Sequence, residues 1–322
     1  MQELHPFLKA HSEADPEAAS LFYIPIYTAQ HYHSLLLDQH LNHEDSMNKT
    51  AESVRRALAW VKQTFPYWNR TNGMDHFMVL PLDHGRCSSM ARLTHEDFGD
   101  MFSLQISGDQ VLKDFETQTW PCYQPGRDIV VPVHHEDKFT LSDIVEPSST
   151  DRPISVLYRF AGGGRGEYGA LRSQILDLHE GQPISGSVAG WHTVRGTHED
   201  MMHSVFCVCP PGISQHTLRA WRSVIFGCIP VTLFSANDSP YQRFTHLDYS
   251  SFSVNINPTE AHLLQPILRG LLARPDRIAQ LQEGLAKVQA MFVWDASTYN
   301  GAFPAVLHEL TMHPSQYLHA LP

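Results

Sequence analysis

Residues 203–234 read HSVFCVCPPGISQHTLRAWRSVIFGCIPVTLF, and this stretch most constrains the fold. A short apolar run, 205–208, has the character of a buried strand, and Pro210, Pro211 and Gly212 force a turn after it. Ser214 is placed to N-cap a helix whose apolar residues Leu218, Trp221, Val224 and Ile225 recur at helical spacing. Gly227 stands where a helix ends on a left-handed residue, and 228–234 resume an apolar strand. Strand, turn, helix and strand in this order make a βαβ unit, which belongs to a parallel sheet with a right-handed crossover. Parallel sheets bind ligands beyond the carboxyl ends of their strands, where helix N-termini attract anions. The loop 210–217, with Gly212, Ser214 and Thr217, is therefore the first candidate phosphate site, and Arg219 lies one helical turn further on.

FCVCPPG, then Arg219, then GCIPV, in this order and spacing, resembles the signature of the exostosin-type glycosyltransferases, in particular plant and algal-like members. These are inverting enzymes that use nucleotide sugars. Further residues carry the same resemblance: Asp15-Pro16-Glu17 before an apolar run with Ile24-Pro25, the WNR…DHF…DHG series over 68–85, and Asp128-x-x-x-Pro132. The resemblance covers about 15–295 and implies an α/β, GT-B-like fold, two Rossmann-like domains facing a cleft.

Composition limits the partners. The 322 residues can bury a sizeable core, and 42% hydrophobic with 18% charged residues describes a globular protein. A formal net charge of −11 argues against nucleic acid or an anionic membrane surface as the main partner. Five cysteines are too few for a disulfide scaffold, and no Cys-x-x-Cys pair is present. Cys207 and Cys209 alternate on one face of their strand and read as core filler, and a Cys87–Cys122 bridge is left open. No apolar run reaches the roughly 18 residues that span a bilayer. Exostosin-type enzymes are Golgi-lumen proteins on an N-terminal anchor, so the resemblance implies a lumenal catalytic region whose membrane anchor is absent from these residues. Sequons at Asn48, Asn69 and Asn237 are compatible with that location.

Along the first half, 21–27 read as a strand interrupted by Pro25, and 50–65 as an amphipathic helix with Val54, Ala57, Leu58, Val61 and Phe65 on one face. The four histidines of 31–43 match no metal-ligand spacing and read as a solvated loop. A buried strand over 77–82 runs into Asp83-His84-Gly85, which places Asp83 and His84 at a carboxyl end as acceptor-binding or general-base candidates. The alternative is structural, with His84 satisfying buried backbone groups. A strand over 128–133 leads to Glu136 and Asp137, secondary candidates for the base. The polar stretch 142–153 reads as a linker, dividing an acceptor-side domain, 1–150, from a nucleotide-sugar-binding domain with C-terminal helices, 151–322.

Beyond it, a strand over 154–160, the glycine-rich loop 161–166 and a helix over 168–179 form a second βα unit. Such a loop exposes backbone amides to a phosphate, although it is neither a Walker loop nor G-x-G-x-x-G. The resemblance implies that Arg165 and Arg172 hold the nucleotide diphosphate. A short strand over 252–256 and helices over 259–272 and 275–292 follow.

Sugar transfer needs charge stabilisation on the leaving diphosphate and removal of a proton from the acceptor hydroxyl. The resemblance gives the first task to the 210–217 loop with Arg165, Arg172 and Arg219, often without a metal, and the second to Asp83 or His84. It implies no tightly bound cofactor, a nucleoside-diphosphate sugar such as a UDP-sugar as donor, and a glycan or polysaccharide acceptor. Manganese and a partner glycosyltransferase are left open. One residue departs from the family: three positions after Arg219, where an acid suits the ribose hydroxyls, this chain has Arg222. A guanidinium cannot accept those hydrogen bonds. Arg222 therefore joins the donor-site candidates, and a catalytically inactive, glycan-binding or scaffold relative is the alternative function.

Overall fold

The computed structural model describes residues 4–82, 85–86, 95–108, 122–134, 138–148, 151–160, 166–180, 194–212, 217–234 and 239–314. The chain divides into two units, Met1–Val131 with Asp238–His246 and Phe303–Pro322, and Pro132–Asn237 with Leu247–Ala302.

Unit 1 is built on four parallel strands in sequential order, β1 (Phe22–Tyr23), β2 (His76–Leu80), β3 (Phe102–Gln105) and β4 (Ile129–Val130). Every residue of β2 and β3 is buried, as expected for strands covered on both faces. Its helices are α1 (Leu4–Ala10), α2 (Thr28–Leu37), α3 (His43–Thr64), α4 (Tyr67–Thr71) and α5 (His95–Phe98). α3 starts where Asn42 accepts a hydrogen bond from Asp45 N at 2.9 Å, with Glu44 and Asp45 in its first turn. It buries Ala51, Val54 and Leu58 against Ile24, Trp68, Met78, Leu80, Phe98 and Met101. Each Val, Leu, Ile, Met or Phe buried in this way contributes roughly 1.5–3 kcal/mol.

Three features of this unit differ from the sequence reading. The histidine-rich 31–43 is largely helical, because α2 buries Thr28 and Leu35 beside α3. Its histidines bond locally, His31 Nε2 with Ser53 Oγ at 3.0 Å and His43 Nδ1 with Tyr32 Oη at 2.6 Å. β3 was not anticipated, being four residues long, and neither was its buried polar seam. There Asp128 Oδ1 receives Arg86 Nη2 at 2.6 Å, Ser103 N at 2.9 Å and Ser103 Oγ at 2.9 Å, so the buried guanidinium and carboxylate neutralise each other.

Unit 2 repeats the plan with β5 (Ile154–Leu157), β6 (Ser204–Cys209), β7 (Ile229–Thr232) and β8 (Val254–Asn255), all parallel and again in sequential order. Its helices are α6 (Gly166–Glu180), α7 (Val194–Met202), α8 (Leu218–Ile225), α9 (Leu264–Leu272) and α10 (Pro275–Val288). A short antiparallel pair, β9 (Trp294–Asp295) and β10 (Asn300–Gly301), follows. The chain then returns to unit 1 in α11 (Ala302–Met312), a helix that no sequence motif marks.

The polar stretch 142–153 is not a free linker but part of unit 2. Val145 N donates to Ile225 O at 3.0 Å, Gln289 Nε2 donates to Val145 O at 2.8 Å, and Arg152 Nε donates to Pro147 O at 2.8 Å. Gly227, at φ +68°, ends α8 as expected, and a Cβ there would sit 2.5 Å from both Val145 O and Arg152 Nη2. The cysteines also differ from expectation. Cys207, read as core filler, bridges to Cys228 across β6 and the start of β7, with Cα atoms 5.9 Å apart. Only Cys209 of that pair is a buried free thiol. Cys122 is disulfide-bonded, and the other member of the bridge considered from sequence, Cys87, lies outside the described residues.

Candidate functional site

The carboxyl edge of the unit 2 sheet gathers the basic residues. β6 ends at Cys209 and passes into Pro210, Pro211 and Gly212, as the Pro-Pro-Gly turn requires. α8 resumes with Thr217, not Ser214, as its N-cap: Thr217 Oγ1 accepts from Arg219 N at 3.4 Å. Ser214 lies outside the described residues, and so does Arg165. α8 turns Ala220, Trp221, Val224 and Ile225 into the core, while Leu218, assigned to the same stripe from sequence, is 39% exposed.

Arg172, on the second turn of α6, donates from Nε to Pro211 O at 2.8 Å, which ties α6 to the loop after β6. Arg219 sits with its guanidinium carbon 5.9 Å from the centre of the Phe160 ring, in the segment following β5. Burial pulls the Arg219 guanidinium down to about 10, with Arg172, Arg222 and Arg159 adding to the effect and Cys209 opposing it. Burial alone lowers Arg172. Among the described residues, no carboxylate lies within ion-pair distance of Arg172 or Arg219. Both remain cations at neutral pH, so this edge of the sheet carries positive charge that no carboxylate among the described residues pairs with.

Two residues here were missed from sequence. Arg159, next after Tyr158 at the end of β5, ion-pairs with Asp200 of α7 and acts on Arg219. Phe160 supplies the ring face. Position in the chain was the available signal: both lie at the carboxyl end of the strand expected over 154–160, two and three residues beyond the last residue of β5. Cys209 is held under the site by Ser223, whose Oγ lies 3.4 Å from Sγ and donates to Arg219 O at 2.7 Å. Burial pushes its thiol up to about 11, so it stays protonated at neutral pH. At the next strand ends, Thr232 Oγ1 donates to Asn255 Oδ1 at 3.1 Å, adding polar groups to the same edge.

The other candidates divide differently. Asp83, His84, Glu136 and Asp137 lie outside the described residues. Their motif partner Gly85 has φ +51°, and a Cβ there would overlap Gln105 Oε1, which explains the glycine in Asp83-His84-Gly85. Asp75 and His76 stand at the opposite, amino end of β2, where Asp75 Oδ1 bonds His76 Nδ1 at 2.7 Å and accepts from Thr71 Oγ1 at 2.6 Å. They tie a turn to a strand. Among the described residues, no three His, Cys, Asp or Glu side chains gather as metal ligands. No described helix is long and apolar enough to cross a membrane.

The chain is similar to plant glycosyltransferases. A probable glucuronosyltransferase of Oryza sativa subsp. japonica is 28% identical over 304 residues, covering 92% of this chain and 68% of the relative. A probable beta-1,4-xylosyltransferase of Arabidopsis thaliana is 28% identical over 306 residues, covering 92% and 70%. Among solved structures, Anabaena HepE in complex with UDP matches at a TM-score of 0.41 and 10% identity, covering 79% of this chain and 82% of that one. That likeness is too low to bear on fold or ligand. The Exostosin GT47 domain, in contrast, matches residues 2–271 and takes in both parallel sheets and all the arginines of the site, so the chain belongs to the exostosin GT47 family of glycosyltransferases.

Proposed function

We propose that this protein transfers a sugar from a nucleoside-diphosphate sugar, a UDP-sugar in the first instance, to a glycan or polysaccharide acceptor with inversion. The observation that carries the reading is the partly buried pair Arg172 and Arg219, without a carboxylate among the described residues, beside the Thr217-capped end of α8. Binding and catalysis draw on the same feature. As the bond to the anomeric carbon breaks, charge grows on the leaving diphosphate, and preorganised cations with helix N–H groups stabilise it most at that moment.

In this reading unit 2 is the donor side. Arg165, Arg172, Arg219 and Arg222 hold the diphosphate, Gly212 and Ser214 let the loop approach it, and Thr217 fixes the helix end. Unit 1 supplies the general base, Asp83 or His84, which takes the acceptor hydroxyl proton as its oxygen attacks. A single in-line displacement inverts the anomeric centre. Arg222, placed where relatives of this type have an acid, adds a cation rather than a ribose acceptor, which favours a donor with a carboxylate of its own. Glucuronosyl donors therefore come first and xylosyl donors second, the transfers named for the two plant relatives. The Golgi lumen is the proposed compartment, and a partner transferase there is compatible with it.

The test is donor turnover by the purified chain with UDP-glucuronic acid, UDP-xylose and UDP-glucose on oligosaccharide acceptors, with and without manganese. Transfer or hydrolysis of one donor supports the reading. Neither reaction, together with no nucleotide binding, would leave the non-catalytic scaffold as the function.

A further inference from the structure

Two Asn-x-Thr sequons fall within the described residues, and the fold treats them differently. Asn48-Lys49-Thr50 lies in α3, with Asn48 Oδ1 buried. Thr50 is 1% exposed and donates its hydroxyl to Ser46 O at 2.8 Å, so this sequon borders the face that buries Ala51 and Val54. Asn69-Arg70-Thr71 lies in the short helix α4, which is anchored by Trp68 at 2% exposure. Asn69 itself is exposed. Around it the surface is open: Phe65 and Pro66 are exposed, and Arg70 turns outward, its guanidinium 4.6 Å from the Tyr67 ring centre and its Nη1 3.0 Å from Glu17 Oε2.

We infer that Asn69 is an N-glycosylation site and that the folded protein carries no glycan on Asn48. The inference rests on the proposed lumenal location. The group transferred is an oligosaccharide from a lipid-pyrophosphate donor. Asn69 Nδ2 forms a bond to the anomeric carbon, the carbon–oxygen bond to the pyrophosphate breaks, and the lipid pyrophosphate leaves as an anion. The proton lost from Nδ2 passes to the transferase's base. Transfer precedes folding, so the fold acts by selection: a glycan at exposed Asn69 projects into solvent, whereas a bulky group on Nδ2 of half-buried Asn48, whose Oδ1 is enclosed beside buried Thr50, requires that side chain to leave the packed face of α3.

The experiment supplies a secretory leader in a eukaryotic host, which separates this inference from the question of native location. The secreted pool of an Asn237→Gln background is treated with peptide N-glycosidase in heavy-oxygen water and mapped by mass spectrometry. The expected result is labelled aspartate at position 69 and unmodified Asn48. Asn69→Gln should lower the apparent mass by one glycan, and Asn48→Gln should leave it unchanged. Unmodified Asn69 in the secreted, folded pool would overturn the inference, as would a glycan on Asn48 in protein of unaltered melting temperature.

Discussion

Replacing Arg219 by Met should make the free protein more stable and the nucleotide complex weaker. In the folded state burial, the largest cause, pulls the Arg219 guanidinium well below the ordinary arginine range, to about 10. At about 1.4 kcal/mol per tenfold change in proton affinity, the buried charge costs roughly 3 kcal/mol. The sign follows from the direction: a base lowered on folding is destabilising wherever it stays protonated, and relief comes only as pH rises above about 10. At neutral pH the cost is fully present. A methionine keeps a flexible apolar stem near Phe160 but loses a cation–ring contact of about 0.5–1 kcal/mol. The net gain of about 2 kcal/mol corresponds to a melting temperature higher by roughly 4–8 °C for a unit of this size. UDP affinity, in contrast, should fall by about 2–3 kcal/mol, or roughly 30- to 150-fold, because a charge-assisted contact is lost. Differential scanning fluorimetry with and without UDP gives both quantities, and saturating UDP should abolish or reverse the difference between the two proteins. A variant that melts several degrees lower without ligand yet binds UDP normally would refute the reasoning and make Arg219 a structural residue.

Four further outcomes follow from the same structure. Asp83→Asn should lower kcat by about 100-fold or more with little change in donor affinity, as loss of a general base does; a full-rate variant would move the search to Glu136 and Asp137. Gly227→Ala should cost about 2–4 kcal/mol in denaturant unfolding, because its φ of +68° and the 2.5 Å approach of Val145 O leave no room for a methyl group. Removing the Cys207–Cys228 bridge by a double alanine substitution frees a segment of sequence separation 21, for which chain entropy gives a loss of about 3 kcal/mol. His313 is buried against Phe102 with Nε2 on Arg127 O at 2.7 Å, and burial holds its imidazole below the ordinary 6.5. The folded state thus binds fewer protons than the unfolded chain, so His313 should erode stability as pH falls through and below 6.5, and His313→Gln should flatten that decline in pH-dependent melting.

The parts of the fold legible in the sequence were those where periodicity and punctuation agree. The run 204–232 carries a buried strand, a Pro-Pro-Gly break, an apolar helical stripe, a left-handed glycine and a second strand, and each appears where its chemistry puts it. The cap moved from Ser214 to Thr217 because several hydroxyls precede that helix, and local sequence does not rank them. β3 escaped notice because four buried residues have no readable period, and α2 because its histidines resemble a solvated loop until Leu35 finds its neighbours. The stretch 142–153 looks like a linker by composition, yet its backbone is bonded by Ile225 and Gln289, partners remote from any local pattern. The Cys207–Cys228 bridge depends on strand register, which spacing alone does not encode. In the site, Arg172 and Arg219 were expected together and share one electrostatic environment, while Arg159 needed the three-dimensional edge of the sheet to be seen.

The basic edge of the second sheet should receive a nucleoside diphosphate. Isothermal calorimetry of the purified chain against UDP, GDP and ADP, each with and without manganese, tests this most directly. One of these nucleotides should bind saturably and one-to-one, and that binding should be lost or greatly weakened in Arg219→Met. Absence of binding by all three under both conditions would contradict it.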